Sequence, residues 1–445
     1  MTVNSFLLES MPLGKPPSNW KVVYLKDVTS KIGSGATPRG GAKVYQSHGI
    51  SLIRSQNVHD HKFLKEGLAY IDEEKADKLN NVIVEPGDIL LNITGDSIAR
   101  CCVVPNWVLP ARVNQHVAIL RPTQNLDSIY LQKYLCLSVV KNYMLCHDAG
   151  GTRKALTKGN IKRFLIPLPP LPEQKAIARI LGTLDDKIEL NQQMNRTLEA
   201  TARAIFKSWF VDFDPVRAKM DGRQPEGMDA QTAALFPAAF EDSELGMIPK
   251  VWRVVNISEI AKVIYGASFS SKLFNTEEKG LPLVRIRDLP TNKPQVFTDE
   301  NHPKGTIVNA GDILVGMDGE FRAYVWQGAT ALLNQRVCKF FPEKGIPKAF
   351  LLHSLIEPLA FYERSKVGTT VIHLGKGDID TIKIILPHQT ILQAFGKVTN
   401  SLFEKILVNS AESNCFANLR DTLLPKLMSG ELRVVEAEKM VEDMA

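Results

Sequence analysis

Two stretches of the chain carry apolar residues at helical spacing over far more than the length of an ordinary helix. From Ile177 the seam runs Ile177, Leu181, Leu184, Ile188, Asn191, Asn195, Leu198, Ala202, Ile205 and Trp209, in alternating steps of four and three. That is a heptad pattern, and it predicts a long, narrow-striped helix suited to pairing with another of its kind. A second stripe comprises Phe395, Leu402, Ile406, Asn409, Phe416, Leu423 and Leu427. Asn191 and Asn409 occupy the same seam position 218 residues apart, where a polar side chain costs stability but fixes register and partner. Outside these stripes the pattern changes to short apolar runs bounded by turn residues. PGDILLNITGD, VAIL and FLIPLP read as strands entered by turns or stopped by proline.

The short elements repeat. WKVVYLKDV from Trp20 returns as WRVVNISEI from Trp252, SLIRSQNV with Arg54 as PLVRIRDL with Arg285, and NQHVAILRP from Asn114 as NQRVCKFFP from Asn334. PGDILLNITGD from Pro86 matches AGDILVGMDGE from Ala310, and GTRKALTKGNIKRFLIPLP from Gly151 matches GTTVIHLGKGDIDTIKIILP from Gly368. A period above 200 residues means duplication of a whole domain, not a solenoid. The expected fold is α+β: two similar globular domains separated by two long helices that form an antiparallel coiled coil, with a pseudo-twofold internal repeat. The expected boundaries are 1–168 for the first domain, 169–210 for the first spacer helix, 211–248 for an acidic linker, 249–386 for the second domain, 387–430 for the second spacer helix and 431–445 for a frayed acidic tail. Such helices would hold two similar domains at opposite ends of a rigid spacer.

Composition narrows the function classes. The 445 residues are 44% hydrophobic and 23% charged, an ordinary globular balance. No apolar run approaches the roughly 18 residues of a membrane span, and MTVNSFLLESMPLG lacks the basic start and apolar core of a leader peptide. Six scattered cysteines without C-x-x-C spacing fit a reducing cytoplasm. The net charge of +6 is unevenly spread: residues 17–168 carry 20 Lys/Arg against 12 Asp/Glu, and 249–386 carry 18 against 14. Residues 211–248 carry 3 against 8, so two basic bodies flank an acidic segment, as a polyanion with two contact points requires.

At this point the chain resembles a known family, the specificity subunits of type I restriction–modification enzymes. The resemblance rests on AIFKSWFVDFDPV (Ala204 to Val216), LFPAAFEDSELGMIPKVW (Leu235 to Trp252), LPPLPEQKAIARIL (Leu168 to Leu181) and GDILL (Gly87 to Leu91). It implies two target recognition domains, each reading half of a split, asymmetric site in double-stranded DNA. The helices would set the unread spacer and dock methyltransferase (M) subunits, two in number, with endonuclease/translocase (R) subunits completing the complex. S-adenosylmethionine, ATP and magnesium would belong to those partners, so no cofactor is expected on this chain. One departure stands out: PHQTILQAFGKV opens the second helix where the first opens with PLPEQ.

Base reading and phosphate contact call for Arg, Asn, Gln and Lys in loops. The first-domain candidates are Arg39, Arg54, Gln56, Asn57, Arg112, Asn114, Gln115, Arg153 and Lys154. The second-domain candidates are Arg285, Arg287, Asp288, Arg322, Asn334, Gln335 and Arg336. Arg54 and Arg285 are shared between copies and are assigned to phosphates. The expected helix-packing residues are Ile177, Leu184, Ile188, Asn191, Leu198, Ile205, Trp209, Phe395, Leu402, Ile406, Asn409, Phe416 and Leu423. A methyltransferase would need a glycine-rich cofactor loop and an Asn/Asp-Pro-Pro-aromatic motif, and a motor a G-x-x-x-x-G-K-[ST] loop; the sequence has none of these. No catalytic or metal site is therefore expected, His59-Asp60-His61 reading as a solvated turn. The competing reading is a stand-alone regulator with two DNA-binding domains.

Overall fold

The computed structural model describes residues 11–146, 155–365 and 372–443. It divides into two compact units, one comprising residues 1–187 with 415–445, the other residues 188–414. Both are mixed helix and strand, and both are built on the same plan. In the first, the strands Thr29–Ser34, Val117–Pro122, Ile89–Asn92 and Cys101–Val103 form an antiparallel sheet in that order. In the second, Ala261–Tyr265, Val337–Pro342, Ile313–Gly316 and Ala323–Val325 repeat that order. A second sheet in each unit contains a parallel strand pair, Ile50–Ile53 with Ala111–Val113 and Leu281–Val284 with Ala331–Leu333. Each unit is closed by a two-stranded ribbon, Lys21–Tyr24 with Leu165–Leu168 and Arg253–Asn256 with Lys383–Leu386.

The GDIL motif explains the central strands. Asp88 is fully buried and accepts from the Glu85 amide (2.7 Å), closing the turn before Ile89–Asn92, and its carboxylate takes Arg121 as counter-ion. Asp312 does the same for the Asn309 amide (2.7 Å), with Lys339 as its cation at 2.6 Å. The strands that follow are buried along their whole length, which is why they read as continuous apolar runs rather than as alternation.

The two stripes form single helices, Leu171–Phe210 and Gln389–Ser429. Within the first unit Asp185 pairs with Arg420 at 2.7 Å; within the second Asn195 meets Asn409 at 2.9 Å and Asn191 meets Glu412 at 3.2 Å. Partner numbers fall as residue numbers rise, so the pairing is antiparallel. The register differs from a symmetric Asn pair: Asn409, fully buried, donates to Asn195 rather than facing Asn191. The stripe also widens beyond a two-position seam. In the first unit Ile177, Ala178, Ile180, Leu181 and Leu184 are all buried, because that part of the helix faces both its partner and the domain core. Leu423 is buried with them and Phe416 packs beside them. In the second unit Trp209 and Phe395 are buried and Ile205 packs against their cluster, Ile406 is buried, and Ile188, Leu198 and Leu402 are half-buried.

Two expectations are corrected. Residues 211–248 are more than the expected acidic linker: they fold into the helices Asp214–Met220 and Ala230–Ala234 and the hairpin Phe240–Ser243/Gly246–Pro249. Phe213, Val216, Phe236 and Ile248 are buried in the second unit's core, with Trp209 edge-on to Phe236 at 5.3 Å. The acidic stretch after Gly430 is not frayed over the described residues. Val434–Glu442 is helical, Ala437 is fully buried, and Glu438 and Arg433 pair with Arg179 and Glu173 on the first long helix. Gly430, at φ +77°, lets the chain turn off the helix, and a Cβ there would collide with Pro17.

Candidate nucleic-acid interface

In the first unit, four loops meet beyond the strand ends. Gly35, after Thr29–Ser34, lies so close to the Val113 carbonyl that no side chain fits, and its amide donates to the Asn114 carbonyl (3.1 Å). The Asn114 amide in turn donates to Ile53 (3.0 Å), beside Arg54. The Ile93 amide donates to the His116 carbonyl (3.0 Å), and Thr94 bonds His116 Nδ1 at 2.6 Å. The second unit repeats this frame: Asn334 donates to Val284 (3.2 Å), Gly266 crowds the Asn334 carbonyl, and Met317 donates to Arg336 (2.9 Å). The side chains on the repeated frame differ. Where the first unit has Thr94, His116 and Ala155, the second has Asp318, Arg336 and His373, with Asp318 bridging Arg336 at 3.3 Å and His373 at 2.6 Å.

Of the first-domain candidates, Arg39 and Gln115 are exposed on this rim, and Thr37 of the Arg39 loop donates to the Gln115 amide oxygen. Arg54 and Gln56 converge on the Gly67 carbonyl, Gln56 at 3.2 Å, and the Arg54 guanidinium lies 5.1 Å over the Tyr45 ring. Gln56 is exposed and Arg54 half-buried, its Nε buried with no hydrogen-bond partner among the described residues. Arg153 and Lys154 lie outside the described residues. In the second domain Arg287, Gln335, Arg336 and Arg322 are exposed, Arg322 being paired with Glu320 at 3.4 Å. Arg285 and Asn334 are half-buried.

Four candidates serve the fold instead. Asn57, fully buried, accepts from the Arg54 amide (3.1 Å) and donates to Leu64 and Glu66 carbonyls; Asp288 caps Arg285 in the same way and binds its guanidinium at 3.0 Å. Arg112 is 7% exposed, donates to the Ala76 and Ala111 carbonyls and to Asn80, and burial lowers its pKa from the usual guanidinium value. Asn114, 5% exposed, turns its side-chain oxygen back to the His116 amide (3.0 Å). Each satisfies buried backbone or side-chain groups that would otherwise go unpaired, so none is free to read a base. His116, Thr37 and Asp318 were missed. The signal for His116 was its position, a difference between copies directly after the shared Asn-Gln.

The comparisons with known proteins agree with this two-fold plan. The family described as the type I restriction modification DNA specificity domain matches residues 17–200 and 249–409, well over half the chain. The chain belongs to the type I restriction–modification specificity subunits. This specificity subunit is 27% identical to the type I restriction enzyme HindI specificity subunit of Haemophilus influenzae, over 93% of its own length and all of the relative's. It is 28% identical to the MjaIX specificity subunit of Methanocaldococcus jannaschii, over 95% and 96% of the two chains. In fold it matches a crystal structure of the type I S subunit from M. genitalium with a TM-score of 0.57 at 15% identity, covering 94% of this chain and 98% of that one. Specificity subunits are the non-catalytic, DNA-binding members of their complexes. No described helix of this one is long and apolar enough to cross a membrane.

Proposed function

We propose that this specificity subunit reads a split, asymmetric site in double-stranded DNA, residues 1–168 taking one half and residues 249–386 the other. The observation that carries the reading is the repeated loop frame with exchanged side chains: Thr94 and His116 in one copy, Asp318 and Arg336 in the other. A shared frame suits a shared task, contact with the backbone of the duplex, while exchanged groups suit different bases. Arg39, Arg54 and Gln115, with Arg285 and Gln335, are assigned to phosphates; Gln56 and His116, with Arg287, Arg322 and Arg336, to base edges.

The paired helices set the unread spacer and dock two adenine methyltransferase subunits, with ATP-dependent endonuclease subunits completing the restriction complex in the cytoplasm. A helix of 40 residues extends about 60 Å. Mapping N6-methyladenine in cells carrying this chain and its methyltransferase, against cells lacking only this chain, tests the reading. One bipartite motif with a fixed spacer, lost on deletion, is expected; no chain-dependent motif with the partner expressed would refute it. Inserting one heptad after Leu198 lengthens the helix by about 10 Å and should change the spacer or abolish methylation.

A further inference from the structure

Where the sheet of the first unit meets the helix Ser128–Cys136, two thiols lie against each other. Cys101 and Cys136 have their sulfurs 3.4 Å apart, Cys101 fully buried on its strand and Cys136 half-buried at the helix end. The contact is held from both sides. Gln132, 3% exposed, donates through one amide nitrogen to Cys136 Sγ (3.0 Å) and to His61 Nδ1 (2.9 Å). The Asp60 carboxylate accepts from the Cys101 amide at 3.3 Å, lies 3.6 Å from Cys136 Sγ and is paired with Lys141. His61 holds φ +63°, a left-handed backbone for a non-glycine residue, while its amide donates to the Cys101 carbonyl at 3.2 Å. Neither the DNA-reading rim nor the helix seam uses these sulfurs.

We propose that Cys101 and Cys136 are a reversible oxidation site, Cys136 being the residue that peroxide oxidises first and Cys101 the resolving thiol. In the first step the Cys136 thiolate attacks one peroxide oxygen; the S–O bond forms, the O–O bond breaks, and the departing hydroxide takes a proton to leave as water. In the second, the Cys101 sulfur attacks Cys136 Sγ; the S–S bond forms, the S–O bond breaks, and the Cys101 proton leaves with the hydroxyl as a second water. Two electrons pass from the thiols to the peroxide, and a dithiol reductant reverses the change.

The surroundings divide the two roles. Burial pushes the Cys136 thiol up, but hydrogen bonds from the Cys101 thiol and from His61 outweigh it and hold it below its usual range. The same hydrogen bond to Cys136, together with burial, pushes the Cys101 thiol well above its usual range. The thiolate is the nucleophile, and Cys136 is the member of the pair that is not fully buried. The sulfurs stand 3.4 Å apart, against a bonded distance of about 2.05 Å. Among the described residues the other four cysteines show no such sulfur contact: Cys102 and Cys338 are buried with thiols raised by burial, and Cys146 and Cys415 are exposed.

The test uses the full chain treated with limiting hydrogen peroxide, blocked with an alkylating agent and digested without reduction. The expected product is a Cys101–Cys136 linked peptide pair, two hydrogens lighter than the dithiol, lost on adding dithiothreitol and formed before modification of Cys146 or Cys415. Cys101→Ser should stop the reaction at a Cys136 sulfenic acid trapped by a cyclic diketone, and Gln132→Leu should slow Cys136 alkylation severalfold at pH 7. Should either variant fail to fold, the wild-type order of modification still decides. Modification of Cys146 and Cys415 with Cys101 and Cys136 left as free thiols overturns the proposal, as does Cys136 oxidised without a link to Cys101.

Discussion

The two units place different chemistry at one position of the repeat. YLQKYLC (Tyr130 to Cys136) aligns with FLLHSLI (Phe350 to Ile356), and three apolar core positions coincide: Tyr130, Leu131 and Leu135 against Phe350, Leu351 and Leu355. Between them, Lys133 becomes His353; on the long helices Asp185 becomes Phe403 and Arg420 becomes Ala202. In the first unit Asp185 is held by both Lys133 and Arg420, and the space is filled by an ionic triad. In the second, all three charges are gone, and a cavity of about 390 Å³ opens among His353, Phe403 and Ala202. The His353 Nδ1 atom is buried there without a hydrogen-bond partner among the described residues. One backbone plan thus tolerates either a charge network or a void at the helix–domain junction, since the apolar residues around it carry the packing.

That contrast can be broken most forcefully by Asp185→Ala. It leaves Lys133, whose side chain is 4% exposed, without its anion, and removing one partner of such a pair costs about 3 kcal/mol or more. Urea unfolding followed by tryptophan fluorescence should show it; a loss under about 1 kcal/mol would mean the triad acts like an exposed pair. The next effect belongs to acid. Burial, and then the Arg203 charge, push His353 down to about 4 from 6.5. The unfolded chain therefore takes up the proton first, so stability is full above pH 6.5 and falls as pH drops toward 4. The limit is about 3 kcal/mol, and His353→Leu should remove it from thermal unfolding curves measured across that range.

Two smaller changes sharpen the comparison. Trp20 donates its indole N–H to Glu173 (3.1 Å), whereas Trp252 has no such partner among the described residues because Ile391 stands where Glu173 does. Trp20→Phe should therefore cost about 1 kcal/mol more than Trp252→Phe in chemical denaturation. Equal costs would mean the bond contributes nothing. Ala202→Leu, directed into the cavity, should raise stability by about 0.5–1 kcal/mol, read as a rise in melting temperature.

The Trp252 orphan also shows what the sequence made legible. The departure of PHQTILQAFGKV from PLPEQ is visible by eye, and the missing Glu is its structural consequence. The duplication, the helices and their antiparallel pairing were equally legible, because a heptad stripe and an ordered repeat are properties of the chain itself. The fates of Asn57, Arg112 and Asp288 were not. Whether an Arg meets solvent or the Ala76 carbonyl depends on what folding brings beside it, and loop composition looks the same in either case. Residues 211–248 misled for a related reason: 8 Asp/Glu against 3 Lys/Arg marked them as a linker, while Phe213, Val216 and Phe236, few but bulky, decided the burial.

The division of the chain into units has a bearing on synthesis. The second unit is one continuous stretch, 188–414, whereas the first needs both 1–187 and 415–445. On the ribosome the domain translated second can therefore complete its packing first, while the earlier one waits with Ile177, Leu181 and Leu184 uncovered until Leu423 and Leu427 emerge. A nonsense codon shortly after 414 would thus spare the later domain and cripple the one nearest the start.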